Sequence, residues 1–474
     1  KLKSKLVEHL LVFSLCAVPE KMASRKSESE KEEEAQKFGK DEKEHLKQEL
    51  EDADSAKRLA AMKELRLKRA EEIGEFSDVL CERLGDQETD TLFYAMRLLE
   101  KVPPESLTDC AGRLTQLMVN QNPKTRWAAM ETMCRATKEV LAEHTVAISE
   151  RGTDEDPLVR RAALDVMSKF EPRTLSKYVK ILEDQINAQD DEVRTSAVRA
   201  LRKMDRTDLP RYAKKIVGKL EDDSKNVRWN ALEFLGQMDS PLLAEFGTVV
   251  CERLGDPEVM VRMTATDILG NLYPAALAEF AGTISRAMIE QVNNEMFSTM
   301  EKVFIVRLWG KMPTGLIAED SRTMSRLLDC YDPDVRRAAI EILGKLDPEP
   351  LSWYAKALLE KVTDANPLVR FEAVGICAKF DADVLNVHSR AIAKRMADED
   401  LFVRFASVKV LGGLELSELE TYKEEIRPLL EDPESIVRRM SKMVMSKLEP
   451  ELYKEDEGFM AKLFSRCRRK PASE

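Results

Sequence analysis

Apolar residues return along most of this chain with the spacing of a helix face, and that face itself returns every 34 residues. The dipeptide Val-Arg marks it. It stands at Val159-Arg160, Val193-Arg194, Val227-Arg228 and Val261-Arg262, and again at Val335-Arg336, Val369-Arg370, Val403-Arg404 and Val437-Arg438. With the arginine as position 0, apolar residues fall at −1, +3, +7 and +10. At about 100° per residue these lie within about 80° of one another, one buried stripe on a helix. Stepping back from Arg160 reaches Arg126, Leu92 and Arg58. The interval from Arg262 to Arg336 is two periods plus six residues, so a degenerate unit centred on Lys302 is expected there, with the extra residues ahead of it. Twelve registers result, from Arg58 to Arg438.

Other columns keep the same frame. Alanine stands at +3 from Ala61 to Ala373, and Leu, Met or Trp309 at +7. An aromatic recurs at −16 (Phe76, Tyr178, Tyr212, Phe246, Tyr354, Tyr422), and His144 and His388 share that column as expected packing residues. Each unit reads as two helices. The first, A, carries amphipathic runs such as 175–186; the second, B, opens at turns such as Asp332-Pro333-Asp334, an N-cap followed by proline at the first helical position. Proline near the unit boundary (Pro172, Pro274, Pro348, Pro450) stops B. No stretch shows strand-like alternation of note. One 34-residue unit cannot bury its own apolar face, so neighbours must complete the core.

A tetratricopeptide array has a similar period, but its Trp-Leu-Gly-Tyr signature is missing. The run of Asp, five residues and then Arg at the start of helix B instead resembles HEAT repeats over roughly residues 50–450. The fold this implies is all-α: a right-handed, armadillo/HEAT-like α-solenoid of about 11–12 two-helix repeats, a curved rod with A helices outside and B helices on the concave face. The resemblance also implies an Asp–Arg ladder from repeat to repeat. Its members here are Asp154, Asp222, Asp256, Asp364, Asp398 and Asp432 with Arg160, Arg194, Arg228, Arg262, Arg336, Arg370, Arg404 and Arg438. Asp222, for example, would pair with Arg194 or Arg228. Ala188, Met296 and Cys330 interrupt the acidic column, where the ladder should break or move to Asp190 and Asp332. The expected organisation is a tail or leader at 1–40, a repeat stack at 41–280, the irregular repeat at 281–302, a second stack at 303–450, and a capping helix with a basic tail at 451–474.

Composition narrows the function. Charged residues make up 34% and aromatics 6%, which suits long solvated helices; the net charge of −11 argues against nucleic acid as the main partner. The eight cysteines form no CxxC pair and read as reduced, buried small hydrophobes. The start of the chain, with Lys1 to Lys5 before an apolar run, faintly resembles a leader, interrupted by Glu8 and His9. The expected location is cytoplasmic, with the nucleus or an organelle behind that leader as alternatives. No segment has the roughly 20 apolar residues of a membrane-spanning helix. Ser24, Ser27 and Ser29 sit in an acidic tail, and Arg466 to Lys470 form a short basic cluster.

Four further features are candidates for chemistry. Position +1 lies opposite the buried stripe and carries Phe93, Trp127, Trp229, Met263, Val303, Phe371 and Phe405, broken by Arg161, Thr195, Arg337 and Arg439. Exposed large apolar groups mark partner sites, whereas tight stacking of B helices would simply cover them. Position +9 is a basic column that includes Lys169, Lys203, Lys345 and Lys379. It reads either as an electropositive edge or as cations completing helix C-termini. The irregular unit suggests a long A–B loop containing Val292-Asn293-Asn294-Glu295, a binding loop or hinge, or else a lengthened helix. Phosphate-loop and nucleophile-elbow motifs are missing, as are the paired His-Glu motifs of iron hydroxylases. The expectation is therefore a non-enzymatic scaffold or adaptor with no cofactor and no metal, binding one or more proteins, as a subunit of a larger complex among the alternatives. Narrower readings are a nuclear transport receptor or a phosphatase scaffold; others are a HEAT-like lyase or chaperone accessory protein and, more weakly, nucleic-acid binding through the basic column.

Overall fold

A computed structural model describes residues 40–451. The leader-like start, the acidic tail and the C-terminal basic cluster fall outside the described residues. Those described divide in sequence into two compact units, one ending at Ile148 and the other beginning at Ser149. All regular structure in both is helical.

The B helices follow the sequence frame closely. In the first unit they are Ser55–Leu65, Thr89–Leu99 and Pro123–Met133. In the second they run from Pro157–Met167 through Asp191–Leu201, Lys225–Leu235 and Val259–Leu269 to Thr299–Trp309, then Pro333–Leu343, Pro367–Ile376, Leu401–Leu411 and Ser435–Leu448. Every one begins at position −3, because position −4 is the N-cap. The side chains of Asp54, Asn122, Asp156, Asp190, Asp332, Asn366 and Asp400 accept the first free N–H groups there. The valines at −1 and the alanines at +3 are buried throughout. Small residues at +3 let successive B helices approach.

Glycine at +8 serves the same approach. Its φ is never positive. A Cβ added at Gly310 would lie 2.5 Å from Ile342, and at Gly412 2.6 Å from Val444, side chains of the next B helix.

The A arm departs from the expected single helix. In most repeats it is two short pieces, such as Ala70–Gly74 with Ser77–Arg83, or Pro348–Ser352 with Ala355–Lys361. The break falls at the −16 column, where Phe76, Phe246, Tyr354 and Tyr422 sit near φ −100° and ψ 5°. The turn aims that side chain at the preceding repeat. Tyr354 Oη donates to the Ala318 carbonyl at 2.8 Å, and Tyr422 Oη meets Ser389 Oγ at 2.8 Å. His144 Nδ1 contacts Thr115 Oγ1 at 3.2 Å in the same role.

In the irregular repeat the corresponding aromatic is Phe280, at −22 from Lys302 because the six extra residues follow it, and they lengthen the second A piece to Ala281–Asn293, 13 residues. The expected long loop is therefore mostly helix, including Val292 and Asn293; only the turn from Asn294 to Phe297 remains irregular. Ser298 and Glu301 form a capping box in place of the usual Asp cap.

Candidate partner-binding face of the B helices

The ladder arginines run forward along the chain. Arg194 donates Nε and Nη2 to Asp222 at 2.8 Å each, and Arg228 does the same to Asp256 at 2.8 and 2.9 Å. Arg336 reaches Asp364, Arg370 reaches Asp398, and Arg404 reaches Asp432. Each acid lies 28 residues on, in the next repeat. The remaining nitrogen, Nη1, closes the arginine's own turn: that of Arg228 donates to the carbonyls of Asp222 and Asp223. The aspartate in turn accepts the N–H two residues ahead, as Asp222 does from Ser224. One residue pair thus closes a turn and joins two repeats. Asp154 accepts the Asp156 N–H, and Arg160 and Arg438 close their own turns.

Of the two alternatives at Ala188 and Cys330, a break or a move, the ladder does not move to Asp190 or Asp332. Asp190 caps its own helix, and Asp332 accepts the Thr299 hydroxyl. At Met296 the replacement is Glu301, whose Oε1 takes Nε and Nη2 of Arg262 at 2.9 and 2.6 Å. Phe297 also lies beneath that guanidinium, 4.7 Å away.

Burial by itself would raise the carboxyl pKa values of Asp222, Asp364, Asp432 and Glu301. Hydrogen bonds from the arginines and from backbone N–H groups outweigh it and hold them below their usual values. A lowered folded-state pKa gives stability that is complete above the unfolded value and is lost as pH falls through the folded value. Circular dichroism of the second unit should therefore hold from neutrality down to the ordinary aspartate value of 3.8 and report unfolding below it. Loss of structure already above pH 5 would contradict this origin.

The +9 column closes a second set of bonds. Lys311 Nζ donates to the Gly270 carbonyl at 2.8 Å, Lys345 to Gly310 at 2.9 Å and Lys447 to Gly412 at 2.6 Å; Lys379 reaches Gly344. The cation sits on the exposed C-terminal carbonyl of the preceding B helix rather than its own. Lys169 and Lys203 are exposed.

The +1 column is mostly half-buried between neighbouring repeats. Phe93 and Trp127 meet edge to face at 6.1 Å, and Trp127 Nε1 donates to Glu131. Trp229 lies under the Arg202 guanidinium at 5.9 Å. Met263 and Phe405 are half-buried, and Phe371 packs on Phe402 at 6.1 Å.

The more exposed apolar column is −2, which the sequence reading missed: Leu158, Met260, Met300, Leu368 and Phe402 are 43–51% exposed. Positions −2 and +1 are three residues apart and share a helix face. Sequence could have found the column by scanning every position of B and not only the one opposite the buried stripe. Between Thr299–Trp309 and Pro333–Leu343 this face opens into a groove of about 500 Å³ lined by Met300, Val303, Phe304, Arg307, Arg337 and Glu341. Arg307 pairs there with Glu341 at 3.4 Å and Arg337 with Asp334 at 3.1 Å, and Glu372 adds a third carboxylate to the lining.

Among the described residues, no group of His, Cys, Asp and Glu is placed to hold a metal ion. The six described cysteines form no disulfide. Burial pushes Cys251 and Cys377 up to about 12, which keeps them protonated. No described helix is long and apolar enough to cross a membrane.

The family model for HEAT repeats matches residues 111–202 and 322–412, windows that contain successive B helices of this ladder. Both windows are HEAT repeats. No curated protein sequence matches it. Among solved structures, its HEAT repeats are similar to the karyopherin Kap121p bound to the SUMO protease Ulp1p, with 14% identity and a TM-score of 0.53. That match covers 90% of this chain and 50% of that one. Kap121p bound to RanGTP gives 14% identity and a TM-score of 0.52 over 86% of this chain and 48% of that one. Kap95p in its complex with RanGDP gives 11% and 0.51, over 87% and 61%. The chain thus spans about half the length of the Kap121p chains it resembles. At these identities the likeness is one of α-solenoid fold.

Proposed function

We propose that this HEAT-repeat chain is a protein-binding scaffold whose second unit holds a partner segment on the exposed face of its B helices. The observation that carries this reading is the set of apolar side chains left in solvent on three B helices, Met300 and Phe304 on Thr299–Trp309, Leu368 on Pro367–Ile376 and Phe402 on Leu401–Leu411, with Asp334 at the −2 place of the B helix between the first two. Exposed apolar groups rimmed by charge are the common anatomy of a binding patch. The basic +9 column supports a nucleic-acid role less well, because five of its lysines spend a donor on carbonyls at the ends of B helices.

The test is affinity capture from the native cell with wild type and with the variant Phe304→Ala/Leu368→Ala/Phe402→Ala. The proposal expects the specific partner to be lost from the variant while its circular dichroism is unchanged. Replacing Trp229, packed under Arg202, should leave that partner bound. Retention of every partner by the triple variant would remove this face from the binding function. A transport-receptor role is the narrower form of the reading, supported by the karyopherin-like fold. Direct binding of RanGTP to the purified chain separates it from other scaffolds.

A further inference from the structure

Within the described residues the ladder has one interior place where the arginine remains and its acid does not. In Arg58, Arg194, Arg228, Arg336 and Arg404, Nε is donated to the aspartate 28 residues on. For Arg160 that position is Ala188. Its Nη1 still donates to the carbonyls of Asp154 and Glu155, at 2.7 and 3.0 Å, so the guanidinium is anchored as in the other repeats. Among the described residues no carboxylate receives its Nε or Nη2. Asp190, the nearest alternative in sequence, accepts the Val193 N–H as a helix cap. The Cys330 position differs, because there Lys302 stands at position 0 and both partners have changed.

We propose that Arg160 and the gap at Ala188 form a socket for one carboxylate of a partner chain, which would complete the ladder in trans. Arginine is suited to this because its two free donors match a carboxylate bidentately, and its anchoring removes much of the entropy cost of holding it. Ala188 itself is half-buried, and a groove of about 380 Å³ borders it on the side of the next rung, lined by Asn187, Ala188, Arg194, Lys219, Glu221 and Asp222.

The surroundings restrict what enters. The turns that flank the socket are acidic, with Glu155 and Asp156 before the arginine and Asp190 and Asp191 after the gap, while the cations beside them are engaged, Arg161 by Glu192 and Arg194 by Asp222. A polyacidic stretch is repelled there, whereas one Asp or Glu flanked by Lys or Arg satisfies both the socket and its rim. The occupant is therefore a basic segment carrying a single carboxylate. The inference rests on the scaffold reading for the source of that carboxylate, and not for the socket itself.

The experiment follows the arginine Nε–H resonances of the full-length protein labelled in its guanidinium groups, with Arg160 assigned by its loss in Arg160→Lys. The probes are the peptides Ac-Lys-Glu-Lys-NH2, Ac-Lys-Gln-Lys-NH2 and Ac-Glu-Glu-Glu-NH2, with Ac-Lys-Lys-Ala-OH to present a chain terminus. Saturable movement of Arg160 is expected with Ac-Lys-Glu-Lys-NH2, and binding about tenfold weaker or more with the glutamine and triple-glutamate peptides. A stronger response to Ac-Lys-Lys-Ala-OH would support the socket and assign it to a C-terminus. Ala188→Asp should fill the gap and abolish the response while the helical spectrum persists. Equal responses to the glutamate and glutamine peptides, no response, or a response surviving in Ala188→Asp would each overturn the proposal. None of these outcomes bears on the B-face variants, so the two readings fail separately.

Discussion

Glu301→Ala is expected to destabilise the second unit by about 4 kcal/mol, since breaking a buried ion pair by removing one partner typically costs about 3–5 kcal/mol. Glu301 is the acid that carries the ladder across the irregular repeat. Its Oε1 receives two donors from Arg262, and the two side chains are 5% and 9% exposed. Removing it leaves a buried guanidinium whose Nη1 keeps the carbonyls of Asp256 and Pro257 but whose fork has lost its counter-charge. The same change opens the capping box, because Oε2 accepts both the N–H and the hydroxyl of Ser298. Loss of a cap adds about 1 kcal/mol. The Phe297 ring under Arg262 offsets a little of this. Interior damage in a solenoid uncouples neighbours, so the effect should be local as well as large. Hydrogen exchange of the full-length variant should show lost protection concentrated in Val259–Leu269 and Thr299–Trp309. A change spread evenly over the unit, or a loss below about 1 kcal/mol, the range of exposed pairs, would argue against this role for Glu301.

That residue also shows where sequence reading stops. The B register was legible because three constraints coincide on it: the N-cap at −4, the valine at −1 and the arginine at 0 all serve one turn. The direction of the ladder was not, because Asp222 stands six residues before Arg228 and 28 after Arg194, and only the fold brings the latter carboxylate to the fork. Glu301 occupies position −1, the place of a buried valine in most other repeats. Nothing in the column pattern marks it as a ladder acid. The split of the A arm was hidden for a similar reason: the aromatic column was visible, but the backbone turn there serves contacts such as Tyr354 to Ala318, which exist only once repeats stack. The candidate face was half legible. Trp229 and Trp127 stood out by size, yet Arg202 and Phe93 cover them, while Leu368 and Phe402 at −2 are the groups that solvent reaches.

The regular ladder admits a sharper test at a deeply buried rung, Arg228–Asp256, where the side chains are 9% and 2% exposed. Asp256→Leu strands the arginine and should cost about 3–5 kcal/mol. Arg228→Met strands the aspartate and also removes the two carbonyl bonds of Nη1 to Asp222 and Asp223. It should cost at least as much. With both residues changed, to Asp256→Leu and Arg228→Met, no charge remains buried, and an apolar pair of similar volume recovers most of the desolvation cost. The two orphaned carbonyls do not recover, and each lost bond is worth about 1 kcal/mol. The double variant should therefore be less stable than wild type by about 2 kcal/mol, much less than the sum of the singles. Urea unfolding of the four proteins gives the coupling directly. Singles that add to within about 0.5 kcal/mol would mean that the rung is not an interacting pair. Strong coupling would place the charge pair where the geometry puts it: costly to break, replaceable as a whole, and distinct from Nη1, which closes the turn whatever the next repeat provides.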